Sequence, residues 1–150
     1  MQITAAMVKE LRDTTGAGMS ACKNALVEAG GDIKRASEIL REKGLAAAAK
    51  KADRVAAEGL VAAALSADRK KGAIVEVNSE TDFVAKNEDF IAFVQQMADQ
   101  ALASKATTVD ELLEEAWLPA PAQTVKDVLT QKVAIIGENI GVRRFVNYAA

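Results

Sequence analysis

Apolar positions recur at helical spacing in the first 43 residues, give way to short continuous or alternating runs between 59 and 77, and return to helical spacing after residue 87. The first segment predicts three short helices. Met7, Val8 and Leu11 share one face behind Thr4 as a candidate N-cap, and Gly16-Ala17-Gly18 forces a turn. A second helix runs from Met19 to Ala29 with Cys22, Ala25, Leu26 and Ala29 inward, and Gly30-Gly31 stops it. Asp32 caps a third, whose Ile33, Ala36, Ile39 and Leu40 face the others; Gly44 ends it after Arg41 and Lys43. Residues 45–56 are rich in alanine and lysine without an apolar stripe and predict a solvated helical linker.

Beyond the linker the period changes. Gly59–Leu65 and Ala73–Val77 are strand candidates, and Asp68-Arg69-Lys70-Lys71-Gly72 between them supplies turn chemistry for an antiparallel hairpin. Asn87 caps a helix with Phe90, Val94, Met97, Ala98, Ala101 and Leu102 inward. Thr108 and Glu111 match a capping box for a short helix through Leu113. A loop at Trp117–Pro121 follows, then a helix from Thr124 with Val125, Val128, Leu129, Val133 and Ile136 inward, ended by Gly137. A last strand runs from Ile140 to Tyr148, and no fixed-period repeat is visible. The pattern predicts three parts: a three-helix module over 1–44, the linker over 45–56 and an α+β body over 57–150.

Composition narrows the function classes. Half of the 150 residues are apolar, 27% are charged and the net charge is −2, so the chain lacks the basic footprint of a nucleic-acid binder. No apolar run is long enough for a membrane span, and the start lacks the charged and apolar regions of a secretory signal. Histidine is absent and Cys22 stands alone, which removes imidazole bases, His-containing triads and His-ligated metals, and fits a reducing, cytoplasmic setting. No cofactor is expected.

Few residues are candidates for chemistry. Glu80 and Asp82 are close enough for an acid/base pair, but no nucleophile or phosphate-cradling loop accompanies them, so solvated turn carboxylates are favoured. Gly16-Ala17-Gly18 lacks the Gly-Lys-Ser/Thr of a phosphate loop and no strand precedes it. Met19 reads slightly better as core than as an exposed, adaptable contact. Arg143 and Arg144 project from opposite faces of a strand, one exposed and one paired. Trp117 staples its proline-flanked loop, and Cys22 is a small buried hydrophobe. The segment 78–87, Asn-Ser-Glu-Thr-Asp-Phe-Val-Ala-Lys-Asn, is the most informative. It puts Phe83 beside Asp82 in a strand-to-helix connection of a chain that is only 4% aromatic. That ring either plugs the core or enters a partner, and the residue pattern leaves both open.

Several spaced motifs then carry a resemblance. Ile3-Thr4, Val8–Arg12, Thr15–Met19, Cys22–Leu26 and Gly31–Ile33 with Ala36 resemble the N-terminal module of the translation elongation factor Ts family. Glu58-Gly59, Glu76–Asn78, Thr81–Ala85 and Ile136–Ile140 with Arg143-Arg144 resemble its core. The resemblance implies a ubiquitin-associated-like three-helix module followed by a three-stranded antiparallel sheet packed with helices. It implies a guanine nucleotide exchange factor with no catalytic constellation of its own, whose partner is the GTPase elongation factor Tu in its GDP-bound and nucleotide-free forms. Thr81, Asp82, Phe83 and Val84 match the family segment that dislodges the partner's Mg²⁺, and Arg12 and Met19 match positions that dock the N-terminal module. The rival expectation is a ubiquitin-associated-like binding module or docking fragment without exchange activity. Ser20 stands where the family often has a second methionine, which weakens that contact. Family members usually continue past the Arg-Arg strand, so the chain is expected to be a shortened form whose open sheet edge favours a homodimer.

Overall fold

A computed structural model describes residues 2–150. It begins with α1 (Ala5–Thr15), α2 (Met19–Glu28) and α3 (Ile33–Lys51). The Thr4 hydroxyl accepts from Met7 N and the Asp32 carboxylate from Arg35 N, so both predicted caps hold first-turn amides that no helical carbonyl can reach. Gly16 ends α1 with φ +72°, a left-handed conformation that glycine enters without steric penalty. Leu11, Cys22, Ala25, Leu26, Ala36, Ile39 and Leu40 are buried together in a small core of their own.

One boundary differs from expectation. Gly44 does not end the third helix; residues 45–51 are helical and none is buried, but they continue that helix without a break. The 19-residue α3 runs unbroken through Gly44 to Lys51, and Ala48 packs on the larger core. Glycine inside a helix costs roughly 1 kcal/mol relative to alanine, and its C-cap role requires positive φ. Gly44 stays right-handed and buried because a neighbouring helix presses on it: a Cβ there would lie 2.7 Å from the Gln131 amide nitrogen. The local stop signal loses to that close approach.

The rest of the chain is β1 (Glu58–Leu65), β2 (Lys71–Ser79), α4 (Asp82–Ala85), α5 (Glu88–Ala103), α6 (Val109–Glu114), α7 (Val125–Ile136) and β3 (Gly141–Ala149). The strands form one antiparallel sheet in the order β1-β2-β3, as expected. Ala73, Val75, Val77 and Ser79 point to the buried face, where α5 supplies Phe90, Phe93, Val94 and Met97. Gly59 pairs with Asn78 at φ +136°, and a Cβ would lie 2.2 Å from the Val77 carbonyl oxygen, so only glycine permits that approach.

The Thr124 and Asp127 side chains form a reciprocal capping box on α7. Thr108 accepts from Glu111 N as expected, but the Glu111 carboxylate reaches back to Thr107 N and not to Thr108. Trp117 is buried with its ring 5.8 Å from that of Phe93, and the Gln100 amide pins the same loop through Ala116 O and Leu118 N. The loop is therefore fastened by both an aromatic contact and a polar clamp. Arg144 pairs with Glu76 at 2.8 Å and Arg143 is exposed, the division expected, but a bulge at Arg143 and not plain alternation sets it: Val142 pairs with Val77 and Arg144 with Glu76.

Candidate functional site

Strand β2 ends at the fully buried Ser79, whose hydroxyl donates to Thr81 O at 3.0 Å and turns the chain sharply. Thr81 then caps α4: its hydroxyl accepts from Val84 N at 3.3 Å. The connection expected as loop thus contains a single helical turn, and that turn sets the direction of Phe83. The ring is 83% exposed, which removes the core-plug alternative for this residue. Val84 turns inward against the large core and Ala85 is buried, so the two residues after Phe83 anchor the turn that displays it. Asp82 is exposed and meets Lys86 at 3.4 Å, one turn along.

A carboxylate lock holds this turn from the other side. Glu138 follows the left-handed Gly137 that ends α7. One of its oxygens accepts from both Glu80 N (3.0 Å) and Thr81 N (3.1 Å), and the other accepts from the Thr81 hydroxyl at 2.7 Å. Glu80 answers in the opposite direction: its carboxylate accepts from Asn139 N at 2.7 Å and lies 3.5 Å from Arg54. The Asn139 amide in turn donates to Arg54 O at 2.8 Å. Hydrogen bonds to a charged acceptor are the strong class, so this exchange fixes two turns that are 57 to 59 residues apart in sequence. Glu80 is therefore spent on structure, not paired with Asp82 for proton transfer. Glu138 is the residue that the sequence did not single out by role. Its motif was visible, but its target was not.

Thr81, Phe83, Val84, Lys132, Ile135 and Glu138 line a shallow groove, so the Phe83 ring stands at the rim of an open surface. That groove has no enclosed reaction chamber, and among the described residues no group of three or more Cys, Asp or Glu side chains is gathered to hold a metal ion. What the arrangement can do chemically is present one aromatic ring and one carboxylate, at fixed height, to another surface.

The remaining predicted residues lie in the three-helix unit. Met19 is 60% exposed at the start of α2, which corrects the slight preference for core. The residue follows Gly18 directly, where the inward face of the helix is filled by Cys22 and Leu26 instead. Its neighbours Ile3, Ala5, Val8 and Lys23 make a small apolar patch with a basic rim. Arg12 is exposed one turn beyond Val8 on α1. Thr81, Phe83 and Val84 are thus brought together around Glu138, whereas Met19 lies with Ile3 and Val8 on the three-helix unit and Arg12 is exposed one turn beyond Val8. Cys22 is buried, and burial pushes its thiol pKa up, the opposite of what a nucleophile needs. No helix among the described residues is long and apolar enough to cross a membrane.

Comparison with known proteins agrees with the motifs. The family model described as Elongation factor TS matches residues 80–150. Elongation factor Ts of Clostridium botulinum is 58% identical (strain Eklund 17B) and 59% identical (strain Alaska E43) over 147 residues, which is 98% of this chain and 48% of each relative. Elongation factor Ts of Clostridium kluyveri is 56% identical over the same shares. The chain therefore spans about half the length of the curated relatives it matches. With identity this high along almost its whole length, and with the matched segment holding both sides of the carboxylate lock, the chain belongs to the elongation factor Ts family.

Proposed function

We propose that this chain promotes release of GDP from elongation factor Tu, in the cytoplasm, during translation elongation. The single observation that carries the proposal is the display of Phe83: an aromatic ring left 83% exposed on a turn that is anchored on both sides. A ring held out in water at a fixed position is suited to insertion into a partner. Asp82 and Phe83 would enter the GTPase near its bound Mg²⁺, helped by Thr81 and Val84, which hold the base of the turn. That ion demands nearly ideal octahedral geometry, so small shifts of its ligands suffice to release it. Loss of Mg²⁺ weakens the hold on the diphosphate. Arg12 and Met19 would dock the three-helix unit on the same partner.

No covalent step is required. The factor need only bind the nucleotide-free GTPase more tightly than the GDP form, and linkage requires that GDP weaken its binding by the same factor. We take residues 1–44 as a ubiquitin-associated-like module, 45–56 as its connection and 57–150 as the first half of the family core. Two separate apolar clusters support that division.

The test is release of a fluorescent GDP analogue from elongation factor Tu, with and without this chain, across Mg²⁺ concentrations. Acceleration that saturating Mg²⁺ suppresses supports exchange. Binding to elongation factor Tu without acceleration would make the chain a docking fragment and sink the proposal.

A second copy of the chain is a further partner we propose, and the outer sheet face favours it. Val61, Leu65, Ile74, Val146 and Tyr148 are all exposed on that face, so the sheet is apolar on both sides. An antiparallel sheet with one solvated face normally alternates apolar and polar residues. The face carries Glu76 beside Arg144, held 2.8 Å apart. A hydrogen bond from Asn78, and then Arg144, hold the Glu76 carboxyl below its ordinary pKa, so it is ionised at neutral pH. A two-fold axis through that pair would set each Glu76 against the other copy's Arg144, making the face self-complementary. Light scattering on a size-exclusion column is expected to give twice the chain mass; a clean monomer at high concentration would overturn the dimer.

A further inference from the structure

The three-helix unit and the sheet unit have separate apolar cores, and beside the Ala48 contact of α3 on the larger core a set of polar contacts joins them. Gln131 of α7 is buried, and its amide nitrogen donates to Leu40 O of α3 at 2.7 Å. Arg41, the next residue on α3, donates through Nε to the outer oxygen of Asp127 at 3.0 Å, while the other Asp127 oxygen caps α7. The Gln123 amide donates to Thr14 O at the end of α1. Between these contacts the backbone of α3 comes close to α7 at Gly44, where a side chain would strike the Gln131 amide.

We infer that these contacts are a polar clasp, with Gln131 as its central member, that holds the Arg12 and Met19 surface in one orientation relative to the Phe83 turn. Apolar contacts tolerate sliding, whereas hydrogen bonds weaken steeply when distance or angle changes, so a polar joint specifies a register. The members are not equal. Arg41 is 62% exposed, and an ion pair so open to water contributes little. The Gln131 bond is buried, so leaving either partner unmatched is costly, and Gly44 is what allows the helices close enough to make it. Helix α3 runs through the joint without a break, so no flexible hinge lies between the clasp and the module.

The consequence rests on the proposed function only in its last step. Two partner-binding surfaces held in fixed relation act as one divalent surface, with the ordering cost met at folding and not at binding.

The joint itself is tested without a partner. Spin labels go on the exposed positions Asn24 of α2 and Asp99 of α5, introduced as Asn24→Cys and Asp99→Cys, since the buried Cys22 resists brief labelling. The parent is expected to give one narrow distance distribution. The combined variant Arg41→Ala, Gln123→Ala, Gln131→Ala is expected to broaden it about twofold, with the slow amide exchange of Leu26 and Ile39 retained. A broad distribution in the parent, or an unchanged narrow one in the variant, overturns the clasp. Should amide protection be lost in the combined variant, Gly44→Ala decides. It favours the helix locally but displaces the Gln131 amide, so broadening supports the clasp and a narrow distribution overturns it. Binding to elongation factor Tu is then expected to weaken by about tenfold in the broadened variant. Failure of that last measurement alone counts against the proposed partner and leaves the distance result standing.

Discussion

Phe83→Ala is expected to remove most of the acceleration of GDP release while leaving the melting temperature of the chain where it was. The ring makes no core contact to lose, so its removal should change stability by no more than about 0.5 kcal/mol. In a complex the same ring would be desolvated against the partner. Full burial of phenylalanine is worth roughly 1.5–3 kcal/mol, which at about 1.4 kcal/mol per tenfold corresponds to roughly a 10- to 150-fold loss. The dissociation of effect from stability is the informative part. A core residue such as Phe93 would lower both together, because its replacement leaves a cavity. Exchange by Phe83→Ala at the parent rate would show that the ring is not the wedge.

Glu138→Ala is expected to lower both stability and exchange. The substitution deletes three hydrogen bonds to a carboxylate and leaves Glu80 N and Thr81 N without their acceptor. Bonds to a charged group contribute more than neutral ones, and this site is only part-buried, so a total of about 2–4 kcal/mol is expected. For a chain of this length that is a fall in melting temperature of roughly 4–16 °C. Glu138→Gln should recover much of it. Its amide oxygen can accept the two backbone bonds, and its amide nitrogen can donate to the Thr81 hydroxyl with that hydroxyl reoriented. Exchange should follow the same order, because a turn released from Glu138 no longer holds Phe83 at one height. A melting temperature unaffected by Glu138→Ala would remove the lock from the account.

The two surfaces differ in how far they could be read from residues alone. The elements were legible because their signals are local. Thr4, Asp32, Asn87 and Thr124 cap helices by reaching amides two or three residues ahead, and each does so as expected. The change of apolar period located the hairpin, and β2 extends only slightly beyond its apolar run. The spaced motifs pointed to the family, and the comparisons agree with them.

Misreadings arose where a distant residue overruled a local signal. Gly44 carries every mark of a helix end, yet α3 continues because α7, some 90 residues on, needs the space that a side chain would occupy. Met19 has the chemistry of a core residue, but the core of its unit is already filled by Cys22, Leu26 and Leu11. Phe83 could not be assigned a direction from its neighbours, since direction in a connection is set by what holds its ends. Here that is Ser79 and the Glu138 carboxylate.

What the sequence by itself determined is therefore every element but the α4 turn, most of the caps, the α+β class and the family, because periodicity, capping and motif spacing act within a few residues or survive as patterns along the chain. Tertiary structure alone decided that α3 is continuous, that Glu80 and Glu138 exchange hydrogen bonds across the base of the Phe83 turn, and that Gln131 joins α7 to α3. Those are pairings of polar groups far apart in sequence, and directional bonds of this kind leave no periodic trace from which a partner can be named.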